Sequence, residues 1–313
     1  MLAGTCLLTI KCNYRCPYCD QATDAVYHNL NDVEYTSWKR FFHQLPPSFL
    51  AFSGGEPLLY PGVFELLEGK PKRHLYYLTT NLSQPIKRLL DVADPKQLIL
   101  LAASLHPSSP TFSLKAFLSQ VRLVKEHHIP VYVNFVAYPQ QMDLIPFLKK
   151  AVTTVGAIFN VDPFISTKYK YTEQEERKVQ EYVKQKRKLN YALEETGQEK
   201  MCSAGQDYFF AVPSGAVYRC MGGFYTNREA FYLFNIKDTP SFLPHKTTCY
   251  AVCRAVCDQN MVTITNKSGE MLSKPNRHEK LVLQIGRSFM KSATVRKLWN
   301  TTPLYRLMEL TRK

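Results

Sequence analysis

No apolar run in this 313-residue chain approaches the roughly 20 residues that a membrane-spanning helix needs. The opening stretch MLAGTCLLTI lacks the basic segment and the small-residue cleavage site of an export signal. It reads instead as a strand, and the chain as a cytoplasmic one with no membrane partner. Acidic residues are scarce against basic ones, 26 Asp and Glu facing 40 Lys and Arg. Cysteine is missing altogether between positions 20 and 201, although the chain holds nine: four at 6, 12, 16 and 19, then five at 202, 220, 249, 253 and 257. Cytosolic thiols are kept reduced, so nine of them point to metal or redox chemistry rather than to disulfides. Their distribution implies two separate sites.

With 45% hydrophobic and 21% charged residues the composition is that of a soluble globular protein long enough to bury a large core. More than half of the +14 net charge falls after Met261, where eleven basic residues meet three acidic ones. A basic face can hold nucleic acid, an acidic peptide or a phosphorylated small molecule, and it can equally be plain solvated surface.

Apolar, β-branched and aromatic runs at 3–10, 48–53, 74–80, 97–105, 130–138 and 156–162 predict strands. Helical spacing at 33–45, 62–68, 85–93, 113–128 and 142–154 fills the gaps; Phe117, Val121 and Val124, for example, share one face. The repeats predict an α/β fold with a parallel sheet, doubly wound or curled toward a barrel, whose ligands gather at the carboxyl ends of the strands. The segments after those ends agree: a three-cysteine loop, then Ser53-Gly54-Gly55-Glu56-Pro57, Thr79-Thr80-Asn81, Ser104-Leu105-His106-Pro107, Tyr138-Pro139, and Asn160-Val161-Asp162-Pro163. A polar, charged stretch from Tyr171 to about Lys200 predicts a solvent-facing helix and linker, with Tyr169 and Tyr171 in solvated chain. Beyond it Tyr208–Val212 and Ala216–Arg219 flank the turn Pro213-Ser214-Gly215 as a hairpin between Cys202 and Cys220. Three regions are expected: residues 1–190, 191–262, and a basic helical tail over 263–313.

Thiolates bind zinc or iron-sulfur clusters. Structural zinc closes four ligands around itself, whereas Cys12, Cys16 and Cys19 form a compact triplet with no fourth Cys or His before His28. Three thiolates suit a [4Fe-4S] cluster with one iron left for a substrate. C-x3-C-x-aromatic-C after the first strand, with Gly-Gly-Glu-Pro after the second, resembles the radical S-adenosylmethionine superfamily, over about residues 1–165. The resemblance implies a partial (β/α)6 TIM-like barrel. It also implies that Cys12, Cys16 and Cys19 hold the cluster, and that its free iron chelates S-adenosylmethionine. Reductive cleavage then yields a 5'-deoxyadenosyl radical that abstracts hydrogen, with an external flavodoxin- or ferredoxin-type protein as one-electron donor. Gly54, Gly55, Glu56 and Pro57 would meet the methionyl group and Tyr18 would pack near the adenine. Ser104 and Asn134 would contact carboxylate and ribose, unless they are satisfied loop polars.

The later cysteines resemble the auxiliary-cluster extensions called SPASM and twitch domains, but five are too few for the two clusters of a full SPASM domain. One auxiliary [4Fe-4S] cluster is implied, held by Cys202, Cys220 and two of Cys249, Cys253 and Cys257; the spare thiol is a buried inert group or a hydrogen-atom donor. Cys6, inside the first strand, is expected in the core. Asp207, Asp258, His106 and His245 are available acids or bases without a distinguishing context.

Because the cluster motif starts at residue 12, no cobalamin-binding or peptide-recognition domain is expected ahead of it, so a recognition protein would be separate. The leading expectation is hydrogen abstraction from a peptide, ending in cross-linking, dehydrogenation or epimerisation. Next is the same start on an aminoglycoside, sugar or nucleotide. A zinc-bearing nucleic-acid-binding protein leaves Gly-Gly-Glu-Pro and the repeats unexplained.

Overall fold

The computed structural model describes residues 2–164, 169–183, 200–251, 262–265 and 268–269. Six β-α units open the chain. They run β1 (Leu2–Thr9), a short α1 (Asp20–Thr23) and α2 (Tyr35–Gln44), then β2 (Ser48–Gly54), α3 (Val63–Gly69), β3 (Leu75–Thr80) and α4 (Lys87–Val92). After these come β4 (Leu98–Leu105), α5 (Leu114–Glu126), β5 (Val131–Ala137), α6 (Ile145–Thr154), β6 (Ile158–Pro163) and α7 (Glu173–Gln180). The six strands pair in parallel in chain order, as expected of a partial TIM-like barrel.

β1 is buried at all eight positions, which its near-continuous apolar sequence requires of a strand covered on both faces. β5 alternates instead. Val131, Val133, Phe135 and Ala137 enter the same core as Phe117, Val121 and Val124 of α5 and Ile145 and Leu148 of α6, leaving Tyr132, Asn134 and Val136 half-buried on the opposite face. α5 starts at Ser113, whose side chain accepts from Ala116 N at 3.3 Å. Each fully buried side chain of this layer is worth about 1.5–3 kcal/mol.

The hairpin predicted around Gly215 exists, and it joins the barrel sheet. β8 (Tyr208–Ala211) runs parallel to β1, β9 (Ala216–Tyr218) and β10 (Tyr232–Asn235) follow antiparallel, and the order is β10-β9-β8-β1-β2-β3-β4-β5-β6. At the joint Gly4 opposes Phe209, and a Cβ on Gly4 would meet that ring at 2.1 Å. α8 (Met221–Thr226) and α9 (Arg228–Phe231) lie between β9 and β10. A second, three-stranded sheet is built from β11 (Thr247–Cys249), β7 (Lys200–Cys202) and β12 (Ile264–Thr265).

One expectation is corrected. Tyr171 is not solvated linker: its hydroxyl donates to Ala137 O and accepts from Phe164 N, both at 2.7 Å, and its ring is buried in the main core. A tyrosine can cap a strand end from outside the sheet because its apolar ring and polar tip are satisfied together. Tyr169 is tied down as well, donating to the Glu175 carboxylate at 2.7 Å.

Candidate functional site

The chain leaves β1 at Thr9 and runs through Cys12, Cys16 and Cys19 over the carboxyl ends of the strands. Gly55 N donates to Thr9 O and Glu56 N to Lys11 O, each at 2.8 Å. This contact explains the glycine pair: a Cβ on Gly54, which has φ +134°, would lie 2.2 Å from Thr9 O, and one on Gly55 would lie 2.3 Å from Lys11 O. The close backbone approach that two glycines predict is therefore made, in this chain, to its own cysteine loop.

Glu56 turns its carboxylate inward. One oxygen accepts from Leu58 N at 3.0 Å and Thr80 Oγ1 at 2.8 Å, the other from Asn81 N at 2.7 Å, and the side chain is fully buried. Burial raises its pKa while these three donors oppose the shift. Asn81 then reaches the loop, donating Nδ2 to Asn13 Oδ1 at 3.2 Å and to Cys12 Sγ at 3.7 Å; Ser83 Oγ donates to Asn13 Oδ1 at 3.0 Å. The far end is held by Tyr18, whose hydroxyl shares a 2.9 Å hydrogen bond with His106 Nδ1 after β4 and whose ring lies 5.2 Å from that of Tyr138 after β5. Burial pushes the His106 imidazole down to about 4, so it stands neutral at pH 7. The ends of all of β1 to β5 thus contribute to holding one loop.

The thiols sense each other. Burial pushes Cys16 up to about 11, and the nearby Cys19 and Cys12 sulfurs push in the same direction. Tyr14 N donates to Cys12 Sγ at 3.4 Å. Three mutually repelling sulfurs, with N–H donors aimed at Cys12, suit a cationic iron-sulfur core, which would take all three as thiolates. Among the described residues no three His, Cys, Asp or Glu side chains converge as ligands of a single ion would. A cluster's ligands bind separate irons and need no such convergence. Beside the loop, Ser104, Asn134 and Asn160 stand in register across β4, β5 and β6, and Asn160 Nδ2 donates to Asn134 Oδ1 at 3.1 Å and to Asp162 Oδ1 at 2.8 Å.

Asn13, Asn81 and Asn160 were not singled out by sequence reasoning. Only the polar strand-end punctuation signalled two of them.

A second thiol group lies elsewhere. Cys202 ends β7, Cys249 ends β11, and Cys220 caps α8; all three are buried in one small cluster with Tyr208 and Phe231. Ala204 N donates to Cys202 Sγ at 3.4 Å and Gly223 N to Cys220 Sγ at 3.2 Å. The Cys202 thiol donates to Cys249, and this bond, the Ala251 N–H, and the Arg219 and Lys200 charges hold Cys249 below the usual thiol range against the opposing effect of its burial. Cys202 is pushed up as the proton's keeper. Cys253 and Cys257 lie outside the described residues, as do Asp258 and most of the basic tail. Cys6 is fully buried in the core, as expected.

No family model matches the chain. Among solved structures, Streptococcus suis SuiB bound to its precursor peptide SuiA aligns with a TM-score of 0.55 at 17% identity, over 72% of this chain and 61% of SuiB. anSMEcpe with bound AdoMet aligns with a TM-score of 0.54 at 17% identity, over 76% of this chain and 78% of that one. The chain shares its fold with both of these proteins. At these identities the likeness is one of fold, and the chain spans only about three-fifths of SuiB, 61%. In this chain the cysteine loop lies at the carboxyl rim of the parallel strands, where the polar strand ends gather.

Proposed function

We propose that the protein is a radical S-adenosylmethionine enzyme that abstracts a hydrogen atom from a peptide. The observation carrying this reading is the Cys12, Cys16, Cys19 loop, fastened by five strand ends beside the half-buried Ser104, Asn134 and Asn160 row. With a [4Fe-4S] cluster and S-adenosylmethionine bound, such a site supplies reductive sulfonium cleavage and a carbon-centred radical. The chain's own part is positioning. Gly55 and Glu56 fix the loop's first half through Thr9 and Lys11, Asn81 directs N–H character at Cys12, and Tyr18 with His106 holds the half that carries Cys19. Gly54, Gly55, Glu56 and Pro57 remain our candidates for the methionyl contact through backbone atoms, since the Glu56 carboxylate is committed inward. Ser104 and Asn134 are the candidates for carboxylate and ribose.

The peptide class is supported by SuiB, which binds the precursor peptide SuiA, and by anSMEcpe, which binds the Kp18Cys peptide. The second thiol group, Cys202, Cys220 and Cys249 with Cys253 or Cys257, is read as one auxiliary [4Fe-4S] cluster within residues 191–262, the remaining thiol serving as a hydrogen donor or an inert group. The barrel takes residues 1–190, the electron comes from a flavodoxin- or ferredoxin-type protein, and a separate protein presents the peptide. No described helix is long and apolar enough to cross a membrane.

The test is anaerobic incubation of reconstituted protein in D2O with S-adenosylmethionine, dithionite and the peptide encoded beside its gene, read by mass spectrometry. Gain of one deuterium on carbon indicates a quenching thiol; loss of a hydrogen pair indicates dehydrogenation or cross-linking. Cleavage of S-adenosylmethionine with an unchanged peptide would move the substrate to the aminoglycoside, sugar or nucleotide class.

A further inference from the structure

Arg219 is a cation sealed into the wall of the second cysteine site. It directly precedes Cys220 in the chain and is only 8% exposed. Nε donates to Ala204 O at 3.1 Å, Nη1 and Nη2 donate to Thr248 O at 3.4 Å, and the guanidinium lies 4.8 Å from the centre of the Phe231 ring. Each of these partners sits beside a ligand candidate: Ala204 two residues past Cys202, Thr248 just before Cys249, and Phe231 in the same buried cluster as all three thiols. Among the described residues the ion pairs are Lys11–Asp32, Lys87–Asp91, Arg88–Glu65 and Lys178–Asp143; none neutralises Arg219.

Burying a guanidinium that has no carboxylate partner among the described residues is costly, and two carbonyls and a ring offset that cost only in part. The surroundings are consistently positive toward sulfur: Ala204, Gly223 and Ala251 aim N–H groups at the three thiols, and the Arg219 charge reaches Cys249. An environment of donors plus one fixed cation, without a described anion to match it, is complementary to negative charge spread over the sulfurs. Arginine suits this task better than lysine because it keeps its proton at any working pH and is more weakly hydrated.

We propose that Arg219 is the built-in counter-charge of a one-electron iron-sulfur cluster held by Cys202, Cys220 and Cys249, and that it raises the reduction potential of that cluster. The proposal rests on the auxiliary-cluster reading above. A cluster held by thiolates is anionic and becomes more so when it takes one electron from the reductant. A fixed cation nearby therefore stabilises the reduced form more than the oxidised form. In this role Arg219 is a positioning residue that acts through the cluster.

The experiment is a dithionite titration of the reconstituted full-length chain carrying C12A, C16A and C19A, so that only the second site signals, with reduced cluster read by electron paramagnetic resonance. R219M is expected to hold the same iron and to lower the reduced-to-oxidised ratio at a fixed poise about tenfold, about 59 mV for a one-electron couple. R219K, which keeps the charge and loses the fork, is expected to stay within about threefold of the parent. An unshifted R219M at full iron overturns the proposal, and so does an R219K that falls as far as R219M. If R219M holds no iron, R219K decides alone: within threefold supports the role and a tenfold fall ends it. A parent that binds no cluster at this site refutes the auxiliary-cluster reading itself, an outcome visible as absent iron rather than as an unshifted potential.

Discussion

At the scale of single residues, His74 shows how burial turns an ordinary side chain into a pH-dependent part. Its Nδ1 accepts from Ser48 N at 3.2 Å and its Nε2 donates to Phe42 O at 2.8 Å, so the neutral Nε2–H form fills both positions and a second proton would face an N–H. Burial first, then the nearby Arg73 and Lys70 charges, push it down to about 4. An unfolded histidine titrates near 6.5. Between those values the unfolded chain binds more protons, so stability conferred by His74 is present above about pH 6.5 and is lost as pH falls toward about 4. From about pH 7 to about pH 5.5 the loss from this residue is about 1 kcal/mol, measurable by urea unfolding at each pH. His74→Gln, which can accept and donate at the same places without titrating, should remove that slope; an unaltered slope would assign it to other groups.

The joint between β1 and β8 is the element-scale counterpart. Phe209 lies over Gly4 and packs edge-on to Phe41 and tilted against Phe242, so it fills space that a side chain at position 4 would need. Gly4→Ala should cost about 1–3 kcal/mol by overpacking, and Phe209→Leu should recover part of it. In a double-mutant cycle by chemical unfolding the coupling should be about 0.5–3 kcal/mol, whereas simple additivity would show that another neighbour excludes the methyl. The six parallel strands were legible from sequence because buried parallel strands read as continuous apolar runs between amphipathic helices. So were the cysteine triplet and Gly-Gly-Glu-Pro, whose chemistry is written in local spacing. The β1–β8 pairing, with Tyr208 Oη donating to Thr5 Oγ1 across 203 residues, has no local signature. Neither has Tyr18 with His106, 88 residues apart, nor Asn81 with Asn13, 68 apart. Tyr171 misled for the opposite reason, since the charged segment following it masks one buried ring.

For the whole molecule, the two cysteine groups differ in how the chain supports them. The first lies on a loop that many strand ends hold, and the second is gathered from the ends of β7 and β11 and the start of α8. Reconstituted protein should contain about eight irons if both hold four-iron clusters. Cys12→Ala should remove about four of these together with S-adenosylmethionine cleavage, while Cys202→Ala or Cys220→Ala should remove about four and leave cleavage measurable. Cys249→Ala should lose the iron as Cys202→Ala does; between Cys253 and Cys257, the one whose replacement keeps the iron is the spare thiol, and equal loss from both would show that there is none. The sheet order also has a consequence for how the protein is made. β1 emerges first, yet its second neighbour, β8, is some 203 residues behind it. At a synthesis rate of about 5–20 residues per second that edge stays bare for about 10–40 s. Its sequence, LAGTCLLT, carries no charge and no proline to repel another strand. The first of the barrel's six strands to be made thus waits longest for its second neighbour, and it is there that nascent chains of this protein would find one another.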